Sequence, residues 1–493
     1  MRGLTAAITG LTLDPSGTVP MYRQIYDALR AAILRGQISP GTRLPPQRDL
    51  ARELGVSRNT VMMAFEQLAA EGYLEGRVGA GTYVSASLPE DLLQVRERRR
   101  ISPLTARATT RGLSSGGRAI ASIDVSLPSS GAIRPFRIGM PDMAAFPFDE
   151  WSRIVGRIWR RPPQELLRYG DPQGYPPLRE AIADYVAAAR GVQCDPAQVI
   201  VTAGSQQALD LVARMLLEPG QRIWIEDPGY LGARAVFTAA GAGLVPVPVD
   251  ADGLDVAAGE ALAPEARVAY VTPSHQFPMG VTMSAARRLA LLDRAARHNA
   301  WIIEDDYDSE YRYASRPLAS LQGMDRRGRV FYIGTFSKVM FPGLRLGYLI
   351  VPEATIDAFV RGKAVMDRHA ASVDQAAVAR FIEEGHFGRH IRRMRALYQE
   401  RRDLLVDLVR RELRGALEID VPATGMHTVA WLADGVSDRA ASRQAQAAGV
   451  DAPPLSAYRL GPSQRGGLLL GFAAYEARGI IDGVRRLAAA FGG

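Results

Sequence analysis

The sequence predicts an α/β protein in two parts: a small helical head closed by a hairpin, and a large body built on a mostly parallel sheet with helices on both faces. Three observations predict it. Residues 20–84 hold three short apolar-periodic segments punctuated by glycine, followed by two strand-length runs around a glycine-rich tip. Residues 86–130 are rich in Ser, Ala, Arg and Gly and have little sustained periodicity. From about residue 131 onward, apolar runs of strand length alternate with helical stretches to the C-terminus.

At 493 residues the chain is long enough for two or three domains, each with its own core. A hydrophobic content of 47% with 23% charged residues excludes a disordered or fibrous chain. Cys194 is the single cysteine, which excludes an internal disulfide framework and fits a reducing cytoplasm. Residues 1–17 lack the apolar core of a signal peptide, and no run approaches the ~20 apolar residues needed to cross a bilayer. A cytoplasmic protein with no membrane partner is therefore expected. The net charge of +8 permits nucleic-acid binding without requiring it, because the excess is spread along the chain.

In the head, Ile25, Leu29 and Ile33 share one face of a helix over 20–36, which Gly36 ends. The turn Pro40-Gly41 and the segment Arg43-Leu44-Pro45-Pro46 lead to a short helix with Leu50, Ala51 and Leu54 apolar and Gly55 as its stop. Ser57 is placed to cap a third helix whose buried face is Val61, Ala64, Phe65 and Leu68. Residues 73–74 and 82–84 read as strands around Gly76-Arg77-Val78-Gly79-Ala80-Gly81. Over 18–85 this is the pattern of a winged helix-turn-helix. The cap puts Arg58, Asn59 and Thr60 in the exposed first turn of the recognition helix, where base edges and phosphates are met, and Arg77, Gly79 and Gly81 in the wing. A protein-contact module with solvated arginines is the alternative.

The run Gly41-Thr42-Arg43-Leu44-Pro45, Arg48-Asp49-Leu50-Ala51, Leu54-Gly55-Val56-Ser57-Arg58, Thr60-Val61, Glu71-Gly72 and Gly79-Ala80-Gly81-Thr82-Tyr83-Val84 resembles the GntR family of bacterial regulators. The resemblance implies a double-stranded DNA operator as partner, contacted by Arg43, Arg48, Ser57, Arg58, Asn59, Thr60 and Arg77 with Gly79 and Gly81. Pro46 stands where the family usually has serine, which removes a hydroxyl contact to phosphate but leaves Arg43 and Arg48. The linker over 86–130, loosest at Ser114-Ser115-Gly116-Gly117, lets such a head sit at a variable distance from the body.

In the body the strand candidates are 199–201, 223–225, 268–271, 301–303, 330–333 and 346–350, with helices such as 206–217 and 284–298 between them. Ligands in sheets of this kind bind where loops leave the carboxyl ends of strands, and the polar motifs sit there. Ala203-Gly204-Ser205-Gln206 follows a strand and opens a helix, a cradle for phosphate. Glu226-Asp227-Pro228-Gly229-Tyr230 places an aromatic on a turn, suited to stacking on a flat ring or simply to packing. Trp301-Ile302-Ile303-Glu304-Asp305-Asp306-Tyr307-Asp308 drives an apolar strand into four acids, which need a cation, a metal such as Mg²⁺, or solvent. Gly334-Thr335-Phe336-Ser337-Lys338 and Pro342-Gly343-Leu344-Arg345 put an amine, hydroxyls and a guanidinium on one loop.

Of the 60 basic residues only two are lysine, Lys338 and Lys363. Arginine replaces lysine in most salt bridges but cannot form a Schiff base. Cradle, tyrosine, strand-end aspartate and isolated lysine together describe a pyridoxal 5′-phosphate site with no metal. Lys338 is the expected aldimine lysine, Asp305 the partner of the ring nitrogen, and Tyr307 that of the ring hydroxyl. Tyr230 would stack, and Ser205, Gln206, Thr335, Ser337 and Arg345 would take the phosphate. Lys363 is expected to be a solvated helical residue.

Tyr169-Gly170-Asp171-Pro172-Gln173-Gly174, Thr272-Pro273-Ser274-His275-Gln276-Phe277-Pro278-Met279-Gly280, Glu304-Asp305-Asp306-Tyr307-Asp308-Ser309-Glu310 and Thr335-Phe336-Ser337-Lys338 resemble fold-type-I aminotransferase domains. More narrowly, they resemble those fused to a GntR head in the MocR regulators, and the resemblance spans nearly the whole chain. It implies a PLP-dependent aminotransferase-like effector domain over 131–493 with a small C-terminal α+β subdomain. It also implies a homodimer, in which Tyr169 would reach the phosphate bound by the partner subunit, and transcriptional control as output.

Two departures stand out. Catalytic aminotransferases of this fold carry an Arg-x-x-Phe strand whose arginine grips the substrate carboxylate; the matching strand over 468–472 has leucine in that place. Phe277 stands where those enzymes usually place an asparagine against the ring hydroxyl. Arg459 and Arg465 are the replacement candidates. The expected function is a PLP-dependent DNA-binding transcriptional regulator that senses an amine, an amino acid or the vitamer itself through the Lys338 aldimine, without efficient turnover. A catalytic aminotransferase with an added DNA-binding head, and a scaffold with a vestigial site, are the alternatives.

Overall fold

Three helices pack their apolar faces together to make the head: α1 (Met21–Leu34), α2 (Gln47–Glu53) and α3 (Arg58–Ala70). Ile25, Leu29, Ile33, Leu50, Val61 and Leu68 are buried in the shared cluster. Ser57 caps α3, its Oγ accepting from the Thr60 N–H at 3.1 Å. Strands β1 (Leu74–Arg77) and β2 (Gly81–Val84) pair antiparallel, with Leu74 opposite Val84. Gly81 has φ of 108°, and a Cβ there would come within 3.0 Å of Arg43 Nε, so both the turn and the close arginine favour glycine.

The computed structural model describes residues 13–15, 17–77, 81–86, 112–123, 133–313, 319–462 and 465–492. The chain divides into two compact units, Met1–Thr110 and Arg111–Gly493. Gly79 and most of 86–130 lie outside the described residues. Within that stretch the structure departs from expectation: Ser115–Ala121 forms a helix, α4, that packs on the helix Leu231–Ala239. Ser114, expected to be part of the loosest point, instead accepts from the Gly117 N–H at 3.0 Å and stabilises the first turn.

The body is organised by one sheet of β3 (Val199–Thr202), β4 (Arg222–Asp227), β5 (Gly243–Asp250), β6 (Gly253–Leu254), β7 (Val268–Val271), β8 (Trp301–Asp306), β9 (Val330–Thr335) and β10 (Gly347–Ile350). Their order is β3-β10-β9-β8-β7-β4-β5-β6. Strands β9, β8, β7, β4 and β5 run parallel, and β10 is antiparallel to both of its neighbours. The sequence pattern missed β5 because Pro246 and Pro248 interrupt it. The strand tolerates them near the sheet edge, where only the short β6 lies beyond it.

Helices α5 (Phe148–Arg160) and α6 (Pro176–Arg190) precede the sheet, and between its strands lie α7 (Ser205–Leu216), α8 (Leu231–Ala239), α9 (Val256–Leu262), α10 (Ala285–Arg297) and α11 (Leu321–Met324). After the sheet come α12 (Ile356–Asp367), α13 (Ser372–Glu383) and the long α14 (His386–Glu412). Strand alternation decides which face each residue serves. Ile223, Ile225, Ile303 and Phe331 pack with α7, α8 and α12, whereas Trp224, Ile302 and Val330 pack with α9, α10 and α11. A separate antiparallel sheet of β11 (Leu417–Ile419), β12 (His427–Leu432) and β13 (Gly467–Gly471), with α15 (Asp438–Ala447) and α16 (Ala477–Ala490), forms the C-terminal α+β subdomain. No described helix is long and apolar enough to cross a membrane.

The acids ending β8 do not converge. Glu304 accepts from the N–H groups of Leu321 and Gln322 at 3.0 and 2.9 Å, capping α11. Asp306 meets Arg190 Nε at 2.8 Å and accepts from the Tyr332 hydroxyl at 2.6 Å, and Arg190 also donates to Ser274 Oγ at 2.7 Å. Both ions of that pair are buried. Removing one leaves the other uncompensated, so Arg190→Met should lower unfolding stability by about 3–5 kcal/mol. Urea denaturation checks this, and a loss within error of zero would contradict the assignment.

Candidate functional site

Strand β8 alternates, so Asp305 faces away from its neighbours Glu304 and Asp306. Its Oδ2 accepts from the Tyr270 hydroxyl at 2.8 Å, while Oδ1 is buried with no hydrogen-bond partner. Burial, helped by the nearby Asp306 and opposed by the Tyr270 bond and the Lys338 amine, pushes the Asp305 carboxyl up to about 7. Lys338 lies on the loop after β9. Its Nζ donates to the Gly139 carbonyl at 2.6 Å. Burial holds this amine below the usual lysine range, against the pull of Asp308 and Asp305. Gly139 has φ of 73°, and a Cβ there would sit 3.1 Å from Lys338 Nζ.

At the carboxyl end of β3, Gly204 (φ 97°) precedes α7, whose first residues are Ser205 and Gln206. Arg345, itself left-handed at φ 52°, donates from Nη2 to the Ala203 carbonyl at 2.9 Å, and a Cβ on Gly204 would lie 3.7 Å from its guanidinium. The free N–H groups of the α7 N-terminus and this guanidinium thus face one small cradle. Gln206 Nε2 donates to the Gly232 carbonyl at 3.0 Å, and Thr335 Oγ1 accepts from the Ser337 N–H at 3.1 Å. Tyr230 precedes α8. Burial and the Asp305 charge push its hydroxyl up to about 12, and Arg345 opposes them, so the tyrosine feels both polar ends of the site.

Tyr307 and His275 make a pairing that sequence reasoning missed. His275 Nδ1 lies 2.9 and 3.1 Å from the two Asp308 carboxylate oxygens and 2.9 Å from the Tyr307 hydroxyl. A carboxylate only accepts, so Nδ1 carries the proton, and the Tyr307 oxygen can only accept from it. That leaves the Tyr307 hydroxyl hydrogen free to donate elsewhere. The ligand-type atoms of His275, Asp308 and His427 lie within 4.8 Å of one another, but His427 Nε2 is 3.2 Å from the Pro278 carbonyl and burial pushes that imidazole down to about 3. The motif Ser274-His275-Gln276 carried the only available signal.

Lys363 corrects the expectation of a solvated residue, because it is fully buried on α12. Its Nζ meets Asp367 Oδ1 at 2.5 Å, Gln207 Nε2 donates to Asp367 Oδ2 at 2.7 Å, and the Ala203 N–H donates to Gln207 Oε1 at 2.7 Å. The second lysine therefore anchors the back of the Gly204 cradle. Tyr169 joins none of this. It is 84% exposed, with the Arg368 guanidinium 5.4 Å from its ring centroid.

On the head, Arg43, Arg48, Ser57, Arg58, Asn59 and Arg77 are exposed and Thr60 is half-buried. The Ser57 and Thr60 hydroxyls are 2.8 Å apart, and Arg77 folds back onto Glu75 at 2.7 Å and over the Tyr83 ring at 4.5 Å. Arg58 and Asn59 are left at the exposed start of α3.

A winged helix-turn-helix joined to an aminotransferase-like body with an intact lysine–aspartate pair defines a DNA-binding regulator class. The sequence comparisons agree. Residues 21–84 match the family model of bacterial regulatory proteins, gntR family, and 149–464 that of aminotransferase class I and II. The chain is 44% identical to the probable rhizopine catabolism regulatory protein MocR of Rhizobium meliloti, over 98% of this chain and 96% of that one. It is 32% identical to the pyridoxine biosynthesis transcriptional regulator PdxR of Corynebacterium glutamicum, over 94% and 95% of the two chains. LysN, an alpha-aminoadipate aminotransferase of Thermus thermophilus solved with N-(5′-phosphopyridoxyl)-L-leucine, superposes with a TM-score of 0.69 at 29% identity, covering 76% of this chain and 96% of that one. The chain belongs to the MocR-type transcriptional regulators, in which a GntR head precedes an aminotransferase-class body.

Because Asp305 titrates near 7 in the folded chain and near 3.8 unfolded, the native state keeps a proton that the unfolded chain releases in between. Its contribution is most favourable below about pH 4 and is lost as pH rises toward 7. In ligand-free protein, Asp305→Asn should therefore gain stability relative to the parent across that window, at roughly 1.4 kcal/mol per pH unit. Parallel pH profiles for the two proteins in urea denaturation would sink this reading.

Proposed function

We propose that the body binds pyridoxal 5′-phosphate and that the protein is a regulator whose hold on DNA responds to a small ligand at that site. The ligand is an amine, an amino acid or the vitamer itself. The observation that carries the reading is Asp305: a buried carboxylate with one unpartnered oxygen, electrostatically coupled to the depressed amine of Lys338. A protonated pyridine nitrogen supplies the missing donor and positive charge for that oxygen.

The remaining groups fit the same molecule. Ser205, Gln206 and the α7 N-terminus with Thr335, Ser337 and Arg345 suit its phosphate, and Tyr230 flanks the ring. The free hydroxyl hydrogen of Tyr307 suits the ring oxygen. When bound, the cofactor supplies an aldehyde that amines can reach and an electron-withdrawing ring. Asp305 would hold the charge at the ring nitrogen, His275 and Asp308 orient Tyr307, and burial eases loss of the proton from the Lys338 amine.

Arg43, Arg48, Arg58 and Asn59, with Arg77 in the wing, form the DNA-facing surface for a double-stranded operator, and the site of action is the cytoplasm. A homodimer is supported by Tyr169, an aromatic side chain left open beside Arg368. Effector binding regulates only by favouring one arrangement of the heads over another. A catalytic reading has the complete lysine–aspartate–tyrosine set in its favour, but the apolar residue in place of the carboxylate arginine counts against it.

Lys338→Ala should abolish the visible absorbance of protein loaded with pyridoxal phosphate; an unchanged spectrum would remove the cofactor assignment. Arg58→Ala should weaken binding to the upstream operator by roughly tenfold or more and flatten its salt dependence, leaving the absorbance intact. Footprinting checks the second outcome, and parental protection by the variant would move the DNA face elsewhere.

A further inference from the structure

The departure in the C-terminal strand sharpens the choice of ligand. Leu469, in the arginine's place on β13, is fully buried among Val429, Leu455 and Tyr458, with Phe277, Met279 and Leu231 packed against the cluster. Ile138, beside the Gly139 that accepts from Lys338, packs on the same cluster. The wall next to the reactive amine is therefore apolar and aromatic, with Phe277 within 6.0 Å, centroid to centroid, of Tyr230, Tyr307, His427 and Tyr458.

Among the described residues, Arg465, Arg234 and Arg345 hold other partners, and Arg459 lines a different cavity. Arg465, one replacement candidate, pairs with Glu418 and donates to the Leu432 carbonyl at 2.9 Å. Arg459, the other, lines a cavity of the C-terminal subdomain with Asp434, Ser437 and Asp438, which includes none of the site residues. Arg234 donates to the Tyr458 carbonyl and reaches Asp227 at 3.3 Å. Arg345 is held at the cradle by Ala203. The charges that act on the Lys338 amine are carboxylates, Asp308 and Asp305.

We infer that the effector is a primary amine with no carboxylate on the carbon bearing the nitrogen. This rests on the pyridoxal phosphate reading of the same site. A carboxylate brought against Leu469 loses its hydration and gains no cationic partner among the described residues, whereas an uncharged chain carries no such penalty. Discrimination arises from what the pocket refuses as well as from what it holds.

The test uses the full-length protein loaded with pyridoxal phosphate and matched pairs that differ by one carboxylate: phenethylamine and phenylalanine, tyramine and tyrosine, putrescine and ornithine, cadaverine and lysine. Two readouts are taken, the concentration that half-shifts the visible spectrum and the concentration that half-changes operator protection. For at least one pair the amine should act at a tenfold or more lower concentration than its amino acid in both readouts, and Leu469→Arg should bring that ratio to one or below. A ratio under ten for every pair, including inertness of all the amines, overturns the inference. Failure of the underlying reading looks different: the parental protein would then show no Lys338-dependent absorbance before any amine is added.

Discussion

A carboxylate buried at the end of an apolar strand must find a proton, a donor or a positive charge, and Asp305 is in that position with one oxygen still unpartnered. Most of the site is arranged around it. Tyr270 takes one oxygen, and both Lys338 and Tyr230 feel its field. The neighbouring acids are withdrawn from competition. Glu304 caps a helix, Asp306 pairs with Arg190, and Asp308 holds His275. Four carboxylates that the sequence places side by side thus serve four separate ends, because strand alternation and the turn after β8 send them in different directions.

The two lysines share the labour in a way their rarity does not reveal. Lys338 is the amine at the front of the site. Lys363 works from behind, through Asp367 and Gln207, on the peptide N–H of Ala203, whose carbonyl receives Arg345. A long flexible amine reaches Asp367 from a buried position as a compact point charge, whereas the planar guanidinium needs room for its fork. Two lysines in an arginine-rich chain are consistent with two places where the amine itself matters.

Much of the architecture was legible because periodicity reports burial directly. The three head helices, the Ser57 cap and the parallel strands follow from apolar spacing and punctuating glycines. What escaped has identifiable causes. Strand β5 carries two prolines that are tolerated only near a sheet edge. Helix α4 starts at Ser114-Ser115-Gly116-Gly117, a composition that signals a loop until a serine hydroxyl caps it and a neighbouring helix covers it. Strand β10 had the right residues, but its reversed direction is not encoded in its own pattern.

Residue types at fixed spacing were enough to set the classes of chemistry available: a capped recognition helix, a glycine cradle, a strand-end aspartate, a lysine where arginine would not serve, and a leucine where a carboxylate clamp is expected. Which of these groups meet was settled by packing in three dimensions. Packing gave Asp305 its empty oxygen and tied Tyr307 to His275. It buried Lys363 and set Leu469 against Phe277. Each of these depends on strands and loops distant in sequence being brought to one end of a single sheet, where burial raises the cost of any polar group left without a partner.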